Sequence, residues 1–368
     1  MNKRILKNID WSILICVLIL TVIGLVALYS ATINDDLLEF KKQCMWIAIS
    51  IPVMIAIIFI DYNIIARLSP YLYGLSIILL IAVLFTPAVN GASSWFDIGF
   101  FAFQPAELAK VFVIIFLSTV MVNIQKRSKG EINKLTKLAI ILGVVFLPIF
   151  LIIMQPDYGT AIAYILSLVL ILFVSGIDKK YIIGSLLLMA ILIPIMYFFI
   201  LPDHAKSRID VYLNPDIDPR GAGYNIIQSK IAVGAGKLFG MGLFKGTQTH
   251  LGFLYPKTTD FIFSMIGEEL GFIICGLIIV VYVLLITKAI NIAKTARDDL
   301  GSYIAIGIVG IFLFHVVENI GMCIGLLPIT GVPLPFVSYG GTSFITNFIL
   351  IGLLLNIGAR SKKTLFTK

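Results

Sequence analysis

The sequence predicts an all-α polytopic membrane protein of about ten transmembrane helices, and three observations predict it. Of its 368 residues, 59% are hydrophobic and 13% charged, and the mean hydropathy of +1.03 lies far outside the soluble globular range. The apolar residues come in runs long enough to cross a bilayer as helix. The basic residues gather at every second connection between those runs, as in membrane proteins that keep positive loops in the cytoplasm.

The runs fall near residues 12–30, 45–61, 71–89, 105–124 and 137–154, then 159–177, 180–201, 261–288, 302–326 and 338–359. They are helices because lipid offers backbone N–H and C=O groups no partner outside their own segment, and because none alternates as barrel strands do. Lys3, Arg4 and Lys7 precede the first span; Arg67, then Lys126, Arg127, Lys129 and Lys134, then Lys179 and Lys180 follow. Lys288, Lys294 and Arg297, and finally Arg360, Lys362 and Lys363, complete the series on one side. Both termini are therefore expected in the cytoplasm of a multi-pass plasma-membrane protein, with residues 202–259, between spans 7 and 8, outside. The chain reads as a single domain, residues 1–368.

The formal net charge of +8 belongs mostly to these flanks, which would face anionic lipid, so nothing in it calls for nucleic acid. Cys16, Cys44, Cys275 and Cys323 show no metal or redox spacing, and His204, His250 and His315 lie far apart, which argues against a Cys or His metal cage. The first run has no small-residue cleavage site and reads as a retained span. No internal repeat of the kind that builds many transporters is evident.

Polar chemistry collects at the outer ends. Asp260 closes the long insertion directly before an apolar run, in Thr258-Thr259-Asp260-Phe261, which places a carboxylate at the water–membrane boundary. A helix N-cap is its structural alternative. Glu268 and Glu269 follow about two turns deeper. Adjacent residues point to different faces, so one can pair with a base in the bundle while the other faces water; structural pairing is the expectation for both. Within the insertion, Asn225 to Val233 has the pattern of a short interfacial helix, and Gly234, Gly236, Gly240, Gly242 and Gly246 allow tight turns or close approach to a ligand.

Gln104-Pro105-Ala106-Glu107-Leu108-Ala109-Lys110 opens a span with proline and sets an acid and a base on one helical face. Each charge inside a span costs about 2.5–3.5 kcal/mol, so Glu107 and Lys110 are expected to pair or to share a cavity. Asp157, in the outer turn Gln155-Pro156-Asp157-Tyr158-Gly159-Thr160, is placed to cap the next helix or to line the same cavity. The proline- and glycine-rich run from Leu327 to Ser343 reads as re-entrant backbone, tolerated at that depth only when protein covers it or it lines a cavity.

The ordered set of these motifs resembles the SEDS proteins (shape, elongation, division and sporulation), polytopic peptidoglycan glycosyltransferases such as RodA and FtsW. It is carried by Asn90-Gly91-Ala92 with Ser94-Trp95, by the run Gln104 to Lys110, by Gln155-Pro156-Asp157 with Gly159-Thr160-Ala161, and by Tyr224 with Gln228-Ser229. Thr259-Asp260-Phe261-Ile262-Phe263, Gly267-Glu268-Glu269-Leu270-Gly271 and Pro335 with Ser338-Tyr339-Gly340-Gly341 complete it. Each motif is weak alone, whereas their order across nearly the whole chain is specific. Gly246-Thr247-Gln248-Thr249-His250-Leu251 is similar to the elongation-type RodA branch rather than to the more basic division type. Two positions depart from the family: Tyr255-Pro256-Lys257-Thr258 stands where Pro-Glu-x-His is common, and Glu318 where an uncharged residue is usual.

The resemblance implies a reaction. The 4-hydroxyl of an acceptor lipid II attacks the anomeric carbon of a lipid-linked donor and expels undecaprenyl pyrophosphate, building glycan strands for cell-wall elongation and rod shape. It implies Asp260 as the catalytic base, since a sugar hydroxyl is a poor nucleophile. The leaving pyrophosphate needs positive charge, expected first from Arg208, whose guanidinium would grip phosphate oxygens in bidentate fashion. Lys230, Lys257, Gln228 and Ser229 are further expected ligands on the same insertion, with Lys237 and Lys245 as additional bases, and a divalent cation such as Mg or Mn is the other source. No other cofactor is expected. Glu107, Lys110, Asp157, Glu268, Glu269 and Ser338 would support the cavity. The resemblance also implies a class B penicillin-binding protein, the family's transpeptidase partner, together with the elongation machinery. The alternatives are a lipid II flippase and a division or sporulation paralogue with the same chemistry; a flippase calls for polar groups distributed along the whole crossing.

Overall fold

Aspartates start many of the spans. The computed structural model describes residues 2–34, 36–87, 93–97, 99, 102–126, 128–200, 206, 210, 212, 214, 217–218, 221 and 223–361. Asn90, Gly91, Ala92, Arg127, His204, Arg208, Lys362 and Lys363, all singled out above, lie outside the described residues, as does Pro202. A short helix α1 (Asn2–Lys7) leads into α2 (Trp11–Ala31), where the Asp10 carboxylate accepts from Ser12 N at 3.0 Å. After α3 (Leu38–Phe59), Asp61 caps α4 (Tyr62–Val83) through Asn63 N at 2.9 Å. A two-stranded antiparallel hairpin, β1 (Phe96–Asp97) and β2 (Ala102–Phe103), pairs Phe96 with Phe103 ahead of α5 (Pro105–Gln125). A 3-10 turn (Lys129–Asn133) joins it to α6 (Leu135–Ile153). Asp157 caps α7 (Tyr158–Ser175), which ends at Gly176 in the left-handed region, φ 83°.

The rest of the chain is α8 (Lys179–Ile195) with a π-helical turn (Met196–Ile200), α9 (Tyr224–Ala235), α10 (Thr247–His250), α11 (Ile262–Thr295), α12 (Asp299–Cys323) and α13 (Gly341–Ser361). Asp298 caps α12 by accepting from Gly301 N at 2.8 Å. The protein is an all-α polytopic membrane protein. Among the described residues nine helices are long and apolar enough to cross a membrane. The remaining expected span, near 180–201, is α8 continued by the π turn; from Lys179 to Ile200 this is about 33 Å of helix at 1.5 Å per residue, enough to cross. Two spans start earlier than the apolar runs suggest. Helix α3 begins at Leu38 because Glu39, Lys41 and Lys42 continue it past the lipid, and α4 begins at Tyr62 because the Asp61 cap sets its start and Pro70 is accommodated within it.

One end of the bundle gathers both termini. Asn8 Nδ2 donates to Ala359 O at 3.4 Å, Lys288 approaches Asp10 at 3.7 Å and Arg360 approaches Asp61 at 3.5 Å. Midway through the bundle, small residues let helices close in. Ser167 Oγ of α7 donates to Gly307 O of α12 at 2.8 Å, and a Cβ on Gly310 would lie 2.6 Å from Ser167 Cα.

At the opposite end, two irregular segments position the site. Helix α11 breaks at Gly271, whose φ of 79° and ψ of −178° suit only glycine. The N–H groups freed by the break are taken up by the insertion: Phe272 N donates to Lys237 O at 2.9 Å and Ile273 N to Leu238 O at 3.2 Å. In return Met241 N and Gly242 N donate to the carbonyls of Glu268 and Glu269 at 2.9 and 3.0 Å. Gly240 is obligatory at this seam, since a Cβ there would lie 2.1 Å from Glu269 O. The second segment is the extended run after α12. Val332, Leu334, Phe336 and Val337 are buried, with Phe336 seated among Phe312, Phe344 and Phe348, and the Tyr282 hydroxyl donates to Pro335 O. Protein thus covers irregular backbone and supplies its hydrogen bonds.

Candidate active site

Asp260 sits half-buried at the junction of those two segments. Its backbone is held from three sides. Asn319 Nδ2 donates both to Asp260 O at 2.9 Å and to Val332 O at 2.8 Å, and the Cys323 thiol lies 3.5 Å from Asp260 O. Just upstream, Ser338 Oγ donates to Thr259 O at 2.7 Å while accepting from Leu334 N at 2.8 Å, and Tyr339 N donates to Thr258 O at 2.9 Å. The carboxylate itself faces Gly331, where a Cβ would stand 3.4 Å from Oδ2. The N-cap of α11 is Phe261, with no side-chain capping bond.

A buried ion pair joins this network from α5. Lys110 Nζ lies 2.6 Å from Glu107 Oε1 and 3.0 Å from His315 Nε2, and all three side chains are buried. His315 Nδ1 lies 3.0 Å from Pro333 O. A carbonyl only accepts, so Nδ1 carries the proton and Nε2 accepts from the ammonium, which makes the imidazole neutral. The chain of contacts therefore runs from Glu107 through Lys110 and His315 to Pro333, and from Val332 through Asn319 to the Asp260 backbone. Sequence reasoning passed over His315 and Asn319. The signal was available, since they stand four residues apart on α12, and polar side chains within a span mark functional interiors. Glu318, between them, is also buried and accepts from Thr330 Oγ1 at 2.8 Å, beside Gly331.

Asp157 caps α7 through Thr160 N at 3.0 Å and receives Gln104 Nε2 at 3.0 Å, so it ties the start of α7 to the start of α5. Burial pushes its carboxyl above the ordinary range against the hydrogen bonds from Thr160. Glu268 and Glu269 are both buried, because the break at Gly271 folds the insertion over them, so neither faces water and both take structural partners. Glu268 accepts from Gln248 N at 2.7 Å, Thr249 N at 3.0 Å and Thr249 Oγ1 at 2.7 Å, and Glu269 pairs with His250 Nε2 at 2.7 Å.

Among the expected pyrophosphate ligands, Ser229 is buried and consumed in packing; it shares a 2.5 Å bond with Ser264 Oγ and lies 2.7 Å from Cys323 O. That corrects its placement on the substrate side. Lys230 is exposed and lies along the turn after α12, where a Cβ on Gly325 would meet its Cε at 2.5 Å. Lys257 Nζ reaches Thr249 O at 3.5 Å, Gln228 is partly buried, and Lys237 and Lys245 are exposed. Arg208 lies outside the described residues.

Comparison with known proteins agrees with this architecture. The family profile for cell cycle proteins of the FtsW, RodA and SpoVE type matches residues 10–363. The peptidoglycan glycosyltransferase MrdB of Escherichia coli (strain K12) is 37% identical over 356 residues, 96% of this chain and 95% of that protein. The peptidoglycan glycosyltransferase RodA of Treponema pallidum (strain Nichols) is 31% identical over 436 residues, 98% of this chain and 100% of that protein. A solved chain from work on the structural coordination of polymerization and crosslinking by a peptidoglycan synthase complex superposes with a TM-score of 0.83 at 26% identity, covering 96% of this chain and 98% of that one.

Proposed function

The chain belongs to the FtsW, RodA and SpoVE family of cell cycle proteins, and on that premise we propose that it polymerises lipid II with Asp260 as the base. It is a peptidoglycan glycosyltransferase, as its relatives are. The observation that carries the assignment of Asp260 is its mounting: a carboxylate half-buried at the seam of two irregular segments, facing a glycine, with its backbone fixed by Asn319 and by the Ser338–Tyr339 turn. In the reaction the acceptor's 4-hydroxyl gives its proton to Asp260 as its oxygen forms the new bond to the donor's anomeric carbon. The bond from that carbon to the pyrophosphate oxygen breaks, and the lipid pyrophosphate leaves.

Basic side chains of the insertion, Lys230, Lys257 and Arg208 among them, are assigned the leaving charge. Among the described residues no three His, Cys, Asp or Glu side chains gather into a group that could hold a metal ion, so no step is assigned to a divalent cation. The basic flanks orient both termini to the cytoplasm and Asp260 to the outer side. The sequence of α10 favours the elongation role, and a class B penicillin-binding protein is the proposed partner, consistent with the synthase complex that supplies the structural neighbour.

The test is purified protein given labelled lipid II, alone and with that partner, beside Asp260→Asn. A general base contributes about 10² to 10⁴ in rate, so polymer should fall by that factor in the variant. Polymer at the unaltered rate removes Asp260 from the role, and transfer of lipid II across vesicles without polymer supports a flippase instead.

A further inference from the structure

At the end of the bundle opposite Asp260, α7, α11 and α12 leave a groove of about 380 Å³ between them. Helix α12 lines it with Ser302, Ile306, Val309 and Leu313, a stripe along one face. Helix α11 adds Ile290 and Lys294, and α7 adds Phe173. From Ser302 to Leu313 the stripe runs about 16 Å at 1.5 Å per residue, close to half of the roughly 30 Å hydrocarbon core. Its walls are apolar except at the end where α11 finishes and α12 begins, and there Lys294 and Ser302 stand together.

The charge at that end is unmatched. Three bases on the same face have acids, with Lys288 against Asp10 at 3.7 Å, Lys129 against Asp299 at 3.7 Å and Arg360 against Asp61 at 3.5 Å. Lys294 is exposed and has no acidic partner among the described residues. A slot one leaflet deep, apolar along its length and cationic at its water end, has the polarity of a charged lipid laid parallel to the helices.

We propose that this groove binds one acyl chain of an anionic glycerophospholipid from the cytoplasmic leaflet, with the phosphate held by Lys294 and Ser302. The leaflet rests on the orientation argued above; the groove and its chemistry do not. Selectivity comes from the headgroup, since a hydrocarbon chain gains little by leaving lipid for an apolar slot. One lysine near a membrane surface corresponds to about a fivefold preference for the anionic lipid. A polyprenyl chain would outrun a slot of one leaflet's depth.

The test reads lipid retention without turnover, so it stands apart from the assignment of the reaction. Purified full-length protein in mixed micelles of equimolar phosphatidylglycerol and phosphatidylcholine is examined by native mass spectrometry. One phosphatidylglycerol should be retained in preference. Lys294→Gln should lower that preference about fivefold, Ile306→Trp should abolish retention by filling the slot, and Lys180→Gln, at the start of α8 and outside the groove's lining, should change nothing. Thermal unfolding of each variant separates lost binding from lost fold, and Lys294→Gln, on the surface, keeps the test decisive if Ile306→Trp misfolds. Equal retention of phosphatidylcholine overturns the proposal, as do preference for undecaprenyl phosphate and an unchanged Lys294→Gln.

Discussion

Asp260 and Glu268 are carboxylates eight residues apart in one chain segment, and the protein treats them in opposite ways. Glu268 is fully buried and its two oxygens are covered by two backbone N–H groups and the hydroxyls of Thr249 and Thr247. Asp260 is half-buried, and its anchoring runs through its carbonyl, which Asn319 and Cys323 hold, while its side chain faces the space beside Gly331. A structural acid spends its lone pairs on the fold. An acid that must take a proton from a substrate needs its backbone fixed and its side chain within the substrate's reach, at the boundary rather than in the core. The buried pair Glu107–Lys110 belongs with Glu268, except that His315 connects it to the loop that carries the reactive side.

The contrast breaks first at Asp260. Asp260→Asn should cost about 10² to 10⁴ in polymerisation while costing little stability, since the backbone bonds from Asn319 and Cys323 to its carbonyl survive the substitution. Loss of both activity and stability in equal measure would make Asp260 another strut. Next in size is Lys110→Met, which leaves Glu107 buried without its counter-ion and should destabilise by about 3–5 kcal/mol. The double variant Glu107→Gln with Lys110→Met removes the stranded charge and should recover most of that loss in the same denaturation experiment. If it does not, the pair is held by more than its charges.

Glu268→Ala sharpens the comparison from the structural side. It strands the N–H groups of Gln248 and Thr249, and each unsatisfied buried donor costs about 1–3 kcal/mol. The damage should appear locally, as faster proteolysis and hydrogen exchange in residues 236–250, before it appears in polymer yield. Unchanged protection of that segment would separate Glu268 from the seam.

How much of this was legible in the sequence follows from what each feature depends on. The spans were legible because lipid demands long apolar helices, and Asp157 was legible as a cap because capping is local. The start of α4 at Tyr62 was not, since Arg67 and Pro70 obscure an apolar pattern that begins only afterwards. The break in α11 was hidden in a continuous run, because glycine within a span is commonplace and only the insertion, packed against it, reveals the need for φ of 79° at Gly271. That break also buries Glu268 and Glu269 together, which rules out the alternative with one of them in water: helical faces separate neighbours only while the helix stands alone. Ser229 carried a motif but no address, and its burial against Ser264 is a tertiary fact.

The smallest effect concerns Asp157, whose carboxyl burial holds above its ordinary range. A folded-state pKa above the unfolded value means the folded protein binds more protons between the two, so stability falls as pH rises from about 4 through the folded-state pKa and is level beyond it. Asp157→Asn keeps an oxygen for Thr160 N and removes the titration, and Gln104 can turn its amide to meet the new group. Unfolding temperature against pH should therefore lack this fall in the variant, whose curve climbs above the parent's as pH rises, with the two curves converging at the lowest pH. Parallel curves would mean that the Asp157 carboxylate is as well solvated in the fold as in the unfolded chain. It would then be a cap at the edge of the cavity, without the desolvation that a place inside the cavity wall entails.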